Sequence, residues 1–293
     1  MKIVLFGKNG QLGWEFQRTL PILGEVISVG RDDLDLSDLN AVQHILEELK
    51  PNLIINTSAY TEVDLAETEA ELAMNINAQA PGIMAEAARK CSAVFIHYST
   101  DYVFDGKRGS PYSEGDLTNP LNVYGSSKLK GEGNIKQAGD AYLILRTSWV
   151  YSLRGNSFVN KVLGWARKNE TLRIVSDQIS SPTWARMLAE ITSSMIAQNH
   201  ADLLESIRER RGVYHLAGNG YTSRYEWAKQ ILANDPKRTE QLVQTIEPAF
   251  SVDFPTPATR PSFSALDCTK FSNTFNIHLP NWEKSLQLAM TGT

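Results

Sequence analysis

Cysteine is scarce in this chain: only Cys91 and Cys268 occur among 293 residues, each beside an apolar strand or helix pattern. We expect two free thiols in a reducing compartment rather than a disulfide. The five histidines are scattered and no Cys-x-x-Cys pair occurs, so the sequence predicts no zinc site.

Long apolar runs and basic blocks are also missing. No run approaches the roughly 18 apolar residues of a membrane span, and the start, MKIVLFG, lacks the apolar length of a signal peptide. The net charge is -4, with acids and bases interspersed. We therefore expect a cytoplasmic protein that binds a small molecule, and neither nucleic acid nor a membrane.

Apolar strand patterns alternate with helical spacing through the first half of the chain. Such βα repeats predict an α/β fold, a doubly wound parallel sheet of the Rossmann type with helices on both faces. Hydrophobic residues make up 42% of the chain, which suffices for such a core. The predicted strands are 3–6, 26–29, 53–55, 94–97 and 142–145, and the predicted helices are 11–20, 38–50, 67–90 and 122–138, with a break or kink at Pro81.

After about Trp149 the pattern is less regular. Helices are predicted over 158–168, 184–198, 225–234 and 282–290, and strands over 172–175 and 213–216. The segment 247–261 holds four prolines and predicts an extended surface loop. We expect residues 1–149, with about 178–200, to form a nucleotide-binding domain, and 150–177 with 201–293 to form a smaller mixed α/β substrate domain.

The first predicted strand runs into a glycine-rich turn, GKNGQLG. Gly7 permits the tight turn, Gly10 lets the backbone approach a pyrophosphate, and Gly13 lets the helix pack closely on the strand. The N–H groups at the helix start then face the phosphates. The predicted dinucleotide-binding turn comprises Gly7, Asn9, Gly10, Gln11, Leu12 and Gly13.

The end of the second strand selects the cofactor. Arg31 at this position can accommodate a ribose 2′-phosphate, whereas an acid would bind the 2′-hydroxyl. Arg31 therefore favours NADPH, and the neighbouring Asp32 leaves NADH open. Residues that follow the second and third strands are also expected beside the cofactor, namely Asp35 and Leu36 at the adenine, and Ser58, Ala59 and Tyr60 where small side chains expose the backbone.

A Tyr-x-x-x-Lys pair begins a later helix, and Thr100 follows the fourth strand. Tyr124 and Lys128 share one helix face. Hydride delivery to a ketone leaves an alkoxide that needs a proton, and a tyrosine hydroxyl can supply it. A neighbouring ammonium lowers the phenol pKa from its usual value of about 10. We predict Tyr124 as proton donor, Lys128 as its partner at the nicotinamide ribose, and Thr100 as a hydrogen-bond donor to the substrate oxygen.

Together these motifs resemble the extended short-chain dehydrogenases/reductases, and within them the family of dTDP-4-dehydrorhamnose reductases. The resemblance covers nearly the whole chain, through GKNGQLGWE, NTSAYTEVDLAE, IHYSTDYVFDG, PLNVYGSSKLKGE, LRTSWVY, DQISSPT and PTPATRPSFSALD. It implies an oxidoreductase that uses NADPH to reduce the C4 keto group of dTDP-4-dehydro-β-L-rhamnose. That is the last step in the synthesis of dTDP-L-rhamnose, a cell-wall polysaccharide precursor.

The resemblance also implies roles for individual residues. Asp101 would contact the sugar, Trp149 would form a wall of the sugar pocket, and Arg260 would meet the diphosphate or the thymidine end. Tyr124 would be the proton donor, with Lys128 as its partner and Thr100 tuning it. The residues implied along the cofactor are Gly10, Gln11, Leu12, Asp35, Leu36, Ala59, Tyr60 and Thr61.

One departure from the family concerns a metal. Some members bind magnesium between two subunits through acids after the glycine turn and on a later helix. Glu15 is present here, but Arg186 stands where a second acid is expected, which leaves only Glu190. A divalent cation needs several oxygen ligands. The sequence therefore predicts no metal, and a monomer or weak homodimer.

Three rival activities on the same scaffold can be weighed. A dehydratase would need Thr-Asp-Glu after the fourth strand, and Tyr102 stands in place of that glutamate. A reductase of another dTDP-4-keto-deoxysugar stays open, because pocket shape sets the sugar stereochemistry. A non-catalytic regulatory subunit, as in eukaryotic methionine adenosyltransferase, is disfavoured because Thr100, Tyr124 and Lys128 are all present.

Overall fold

The computed structural model describes residues 1–291, and its centre is a sheet of six parallel strands. These strands are β1 (Lys2–Phe6), β2 (Glu25–Val29), β3 (Leu53–Asn56), β4 (Val94–Thr100), β5 (Tyr142–Thr147) and β10 (Gly212–His215). Their order in the sheet is β10-β5-β4-β3-β1-β2. The predicted Rossmann-type sheet is therefore confirmed, and each predicted strand lies within an observed one except at 216, just past β10.

The strands alternate their side chains between two apolar layers. Ile3 and Leu5 pack into one cluster, whereas Val4 and Phe6 pack into the other. Burial on both faces explains why these strands read as continuous apolar runs. The helices that cover the sheet are α1 (Gln11–Thr19), α2 (Leu39–Leu49), α4 (Ala80–Lys90), α5 (Val123–Ala138), α7 (Ala185–Gln198), α8 (Leu203–Glu209) and α10 (Thr269–Phe275).

The helix predicted over 67–90 is interrupted. It begins at Ala70 as α3 (Ala70–Met74), continues as a π-helical turn over Asn75–Gln79, and resumes as α4. Pro81 lies in the first turn of α4, directly after the π-helical turn, so the α-helical hydrogen-bond pattern is interrupted next to the residue that lacks an N–H. The predicted break at Pro81 is confirmed, but the predicted start at residue 67 is wrong.

The second half contributes a smaller cluster and three pairs of short strands. Its apolar cluster joins Trp227, Val162 and Leu286, from the helices α6 (Phe158–Ala166), α9 (Arg224–Ala233) and α11 (Trp282–Thr291). The strand pairs are β6 (Val150–Tyr151) with β9 (Thr183–Trp184), β8 (Ile179–Ser180) with β11 (Thr222–Ser223), and β7 (Thr171–Val175) with β12 (Thr245–Ala249).

The proline-rich segment is only partly the loop that we expected. Its first residues belong to β12, which pairs in parallel with β7 from Thr245 opposite Thr171 to Ala249 opposite Val175. A strand with a single neighbour tolerates Pro248, because one side of its backbone needs no donor. The loop prediction is therefore wrong for 247–249.

The order of the strands decides where a ligand can bind. The chain passes from β1 to the edge strand β2 and returns to β3 on the other side of β1. At such a reversal the loops diverge, so ligands bind outside the carboxyl ends of the strands. The later strand β10 adds to β5 at the far edge, and the boundaries of the two predicted domains stay a prediction. Within residues 1–291 no helix is both long enough and apolar enough to span a bilayer.

Candidate active site

A cleft of about 670 Å³ opens at the carboxyl ends of the sheet strands, where the strand order reverses. It collects the glycine turn, the ends of β2, β3 and β4, and the start of α5. Gly13 and Arg260 lie outside its lining. The predicted site residues that line it are Gly7, Asn9, Gly10, Gln11, Leu12, Arg31, Asp35, Leu36, Ser58, Ala59, Tyr60, Thr61, Thr100, Asp101, Tyr124, Lys128 and Trp149.

The glycine turn has the geometry of a phosphate-binding loop. Gly7 has φ of +94°, a conformation that L side chains rarely adopt. A Cβ on Gly13 would lie 2.0 Å from the Gly7 carbonyl oxygen, so only glycine lets α1 pack this closely. Gly10 precedes α1 and provides no side-chain cap. The first N–H groups of α1 are therefore available to an anion in the cleft.

Two buried oxygens in the cleft also fit a bound ligand. Gln11 Oε1 and Thr147 Oγ1 have no hydrogen-bond partner within residues 1–291, although both side chains line the cleft. A buried polar atom without a partner costs about 1–3 kcal/mol. The polar groups of a dinucleotide would satisfy such atoms, so the lining fits this class of cofactor.

After β2, the side chain of Arg31 lines the cleft, whereas the two acids that follow it do not. Asp33 accepts hydrogen bonds from Lys8 Nζ at 2.5 Å and from the Gly30 N–H at 2.7 Å, and these bonds lower the pKa of Asp33. Asp32 lies 3.5 Å from Asn9 Nδ2. Neither acid lines the cleft, whereas Arg31 does. The cleft thus offers a cation where a ribose 2′-phosphate would lie.

Backbone contacts fix the start of α5 beside the end of β4. Asn122 caps the helix by accepting a hydrogen bond from the Gly125 N–H at 2.8 Å. A Cβ on Gly125 would lie 2.2 Å from the Tyr102 carbonyl oxygen, so the glycine is required for this close approach. The YGSSK sequence therefore places Tyr124 within hydrogen-bonding distance of Thr100 at the end of β4.

Lys128 is buried, with 1% of its surface exposed. Its Nζ donates to the Tyr98 carbonyl oxygen at 2.6 Å and lies 3.1 Å from His97 Nε2. Burial lowers the pKa of Lys128 to about 7, and the Glu132 carboxylate opposes this shift. Unlike a lysine on the protein surface, Lys128 is therefore partly deprotonated near neutral pH.

The direction of the Tyr124 pKa corrects one of our expectations. We expected the neighbouring Lys128 to lower it, but burial raises the pKa of Tyr124, with a hydrogen bond to Thr100 acting in the opposite direction. Burial dominates because the ionised phenolate loses its hydration in the cleft. Tyr124 consequently keeps its proton at neutral pH.

Sequence analysis missed a buried network behind Lys128. His97 and Asn56 are both fully buried, and Asn56 Nδ2 lies 3.1 Å from His97 Nδ1. Burial, and then the charge of Lys128, lower the pKa of His97 well below its usual value. The only signal in the sequence was a polar pair, Asn56 and His97, at the ends of two apolar runs that become neighbouring strands.

The carboxylate of Asp101 is enclosed by hydroxyl groups. It accepts hydrogen bonds from Ser264 at 2.5 Å, Ser180 at 3.1 Å and Thr100 at 3.2 Å. Burial raises the pKa of Asp101 to about 6, and these bonds act in the opposite direction. No role was predicted for Ser180 or Ser264, although both lie in segments that carry the family resemblance.

Trp149 forms an aromatic wall of the cleft. Its ring stacks on Trp227 with centroids 5.4 Å apart, and the Arg224 guanidinium carbon lies 4.2 Å from the Trp149 ring centroid. Trp149 adopts φ of +40°, which turns the chain sharply after β5. Arg224, which the sequence reading did not single out, thus joins the predicted sugar side of the site.

Arg260 is held by an ion pair with Asp64. It donates to Asp64 Oδ2 at 2.7 Å and to Asp64 Oδ1 at 3.1 Å. Burial lowers the pKa of Arg260, but the bonds to Asp64 and the nearby Tyr102 side chain outweigh it and raise the pKa. Its contact with the substrate diphosphate stays a prediction.

Arg186 contacts Glu15, the acid that follows the glycine turn. Its Nε donates to Glu15 Oε2 at 3.1 Å. Burial is the main cause that raises the pKa of Glu190, with Glu15 contributing and Arg186 opposing. Across residues 1–291, His, Cys, Asp and Glu form no group of three or more that could hold a metal ion.

Comparisons with known proteins identify the family of this chain. The sequence model of the RmlD substrate binding domain matches residues 1–292. A dTDP-4-dehydrorhamnose reductase of Burkholderia thailandensis is 39% identical over 99% of this chain and 98% of its own. That of Escherichia coli strain K12 is 40% identical over 97% and 95%.

A solved structure agrees as well. The dTDP-4-dehydrorhamnose reductase of Bacillus anthracis, determined in complex with NADP, is 33% identical and superposes with a TM-score of 0.89 over 100% of this chain and 99% of its own. The family match and the full-length relatives together settle the assignment. This chain belongs to the RmlD substrate binding domain family, among the dTDP-4-dehydrorhamnose reductases.

Proposed function

We propose that this protein reduces the C4 keto group of dTDP-4-dehydro-β-L-rhamnose with NADPH, which yields dTDP-β-L-rhamnose in the last step of that synthesis. The relatives are reductases of this substrate by name. The observation that carries the proposal is that one cleft holds the glycine turn, Arg31, Thr100, Tyr124 and Lys128. We place the reaction in the cytoplasm, as expected for a polysaccharide precursor.

The cofactor side of the cleft rests on α1 and β2. The uncapped N-terminus of α1 would hold the pyrophosphate, and Arg31 would bind the 2′-phosphate that distinguishes NADPH from NADH. When bound, the cofactor supplies the hydride. The NADP complex of the Bacillus anthracis relative supports this choice of cofactor.

Tyr124 would donate the proton that the reduced carbonyl requires. Its raised pKa keeps the phenol protonated, so the hydroxyl can give its proton to the alkoxide as charge develops there. Thr100, which is within hydrogen-bonding distance of Tyr124 and Asp101, would orient the substrate oxygen. Lys128 lies on the same face of α5 and would hold the nicotinamide ribose.

The sugar nucleotide would extend from Tyr124 toward Trp149. An indole face suits the apolar face of a deoxysugar, and Arg224 lies over that indole. Arg260 would add a second guanidinium for the diphosphate. Asp101 would contact the sugar from the end of β4.

A substrate panel tests the proposal. Purified protein is mixed with NADPH or NADH and with several dTDP-4-keto-deoxysugars, and cofactor oxidation and sugar product are measured. We expect turnover of dTDP-4-dehydro-β-L-rhamnose, faster with NADPH. Turnover of a different keto sugar alone would replace the substrate, and cofactor binding without any turnover would favour a regulatory subunit.

Tyr124→Phe tests the proton donor. Loss of general acid catalysis should lower turnover about 10²–10⁴-fold, while NADPH affinity measured by fluorescence stays within about threefold, since no phosphate contact changes. Tyr221→Phe is the matched control, because Tyr221 is exposed outside the cleft. An active Tyr124→Phe variant would remove this residue from the mechanism.

A further inference from the structure

The buried ring of His97 joins two nitrogen donors. Its Nδ1 lies 3.1 Å from Asn56 Nδ2, and its Nε2 lies 3.1 Å from Lys128 Nζ. A neutral imidazole carries one N–H and one acceptor nitrogen, so it cannot accept from both sides. The protonation of this trio is therefore constrained by geometry.

The orientation of the Asn56 amide decides between the tautomers. The Ser58 N–H donates to Asn56 Oδ1 at 2.9 Å, which identifies that atom as the oxygen. The amide nitrogen of Asn56 consequently faces His97 and donates to Nδ1. An Nδ1 that accepts must leave the ring proton on Nε2, directed at Lys128.

We propose that Asn56 and His97 act as positioning residues that keep Lys128 an uncharged amine in the resting enzyme, because the His97 Nε2–H needs an acceptor and the Lys128 nitrogen provides its lone pair. The amine then accepts from His97 and donates to the Tyr98 carbonyl oxygen at 2.6 Å. An ammonium at the same place would set a donor against the His97 N–H. This inference rests on the proposed function for its role in catalysis, but its geometry does not.

The other charged groups around Lys128 do not restore the ammonium. On α5, Glu132 is held by two hydrogen bonds from Arg146 of β5 and one from Ser99 of β4. The Asp101 carboxylate after β4 is enclosed by three hydroxyls, and Tyr124 keeps its phenolic proton. Burial of the ammonium outweighs Glu132, so the Lys128 pKa falls to about 7.

An uncharged Lys128 suits a reductase. A tyrosinate would gain little from a neutral amine, so Tyr124 enters the reaction as an acid with its proton in place. The same pair in an alcohol dehydrogenase would need the opposite, an ammonium that favours the tyrosinate. The His97 tautomer thus biases the site toward proton donation.

Nitrogen NMR of the resting enzyme measures this directly. With ¹⁵N-labelled protein, two-bond ¹H–¹⁵N correlations distinguish an Nε2–H from an Nδ1–H imidazole, and the Nζ shift distinguishes amine from ammonium. At pH 8.0, a value chosen about one unit above the Lys128 pKa of about 7, we expect His97 as the Nε2–H tautomer and Lys128 as an amine. An Nδ1–H tautomer, or an ammonium at that pH, would overturn the proposal.

The Asn56→Asp substitution should reverse the tautomer of His97. The carboxylate keeps the acceptor for the Ser58 N–H but also accepts from His97, so the ring proton moves to Nδ1 and Nε2 becomes an acceptor for an ammonium. We expect the Lys128 midpoint to rise by about 1–3 pH units. Asn134→Asp is the matched control, since Asn134 donates to the Ala78 carbonyl oxygen instead.

Activity gives an independent readout. The kcat–pH profile of Asn56→Asp should move with the Lys128 midpoint, whereas a merely structural defect would lower kcat at every pH alike. An unchanged His97 tautomer in the folded variant would refute the proposal. If the variant does not fold, the wild-type NMR result decides alone, and neither NMR measurement requires turnover of any dTDP-sugar.

Discussion

Replacing Glu132 by glutamine should destabilise the protein strongly, because it strands the Arg146 charge in the interior. Glu132 is fully buried and Arg146 is 3% exposed. Arg146 donates to Glu132 Oε1 at 2.8 Å and to Oε2 at 2.7 Å, and Ser99 donates to Oε1 at 2.7 Å. Glutamine keeps one acceptor oxygen but sets an NH₂ group against an Arg146 N–H.

The size of the stability loss follows from the contacts that Arg146 keeps in the Glu132→Gln variant. An arginine stays protonated, so its charge has no means of neutralisation. Arg146 Nη1 already has no hydrogen-bond partner within residues 1–291. In the variant the cation keeps the glutamine oxygen and the Phe104 ring, whose centroid lies 5.2 Å from the guanidinium carbon. Breaking one side of a buried pair costs about 3–5 kcal/mol. That is a large part of the roughly 5–15 kcal/mol that stabilises a native protein.

Urea unfolding measures the loss. With a slope of about 3 kcal/mol per molar, the midpoint should fall by about 1–2 M. Agreement between circular dichroism and tryptophan fluorescence must first show a single transition. The control is Glu205→Gln, which removes an exposed partner of Arg208 and should cost about 0.5 kcal/mol or less.

The double variant Glu132→Leu with Arg146→Met separates an unpaired charge from lost packing. Removing both charges should recover most of the stability that the single change loses. A Glu132→Gln variant within about 1 kcal/mol of wild type, or a double variant as unstable as the single one, would refute the reasoning.

Three further outcomes are expected. Arg31→Ala should weaken NADPH binding about 10–100-fold in titration calorimetry and leave NADH binding nearly unchanged; equal losses would remove Arg31 from 2′-phosphate recognition. Gly13→Ala should weaken both cofactors at least about tenfold, since its Cβ meets the Gly7 carbonyl oxygen at 2.0 Å; unchanged affinity would contradict this packing. Asp101, whose pKa of about 6 lies above its unfolded value, favours folding below about pH 4 and loses that contribution as pH rises through 6. The free energy of unfolding of Asp101→Asn, relative to that of wild type, should therefore rise by on the order of 1–3 kcal/mol between pH 4 and pH 8. Urea unfolding measures this difference, and a difference that does not change with pH would refute the prediction.

The parallel sheet was predictable because local signals and tertiary burial agree there. Strands buried on both faces show continuous apolar runs, as in residues 3–6 of β1 and 53–55 of β3. By contrast, β12 combines Thr245, Glu247 and Pro248, and its pattern is not that of a buried strand. It exists because β7 offers an edge to pair with, which no local pattern reveals.

The residues predicted for the cofactor lie together in one cleft because they follow strands in chain order, and their contacts with a cofactor stay a prediction. The buried contacts around Lys128 could not be predicted. His97, Asn56 and Lys128 come from β4, β3 and α5, and they meet only through the register of the sheet. The pKa of Tyr124 went in the unexpected direction for the same reason, because burial cannot be read from spacing.

Because the second half of the chain returns to the central sheet, proteolytic cleavage between the two halves should not separate them. Strand β10 pairs with β5, and Phe271 and Phe275 pack in the same cluster as Ile3 and Leu5. A protease that nicks the exposed loop at Gly155 would therefore leave two fragments held together through buried surface. Neither fragment expressed alone should fold, and heating the intact chain should melt both halves at one temperature.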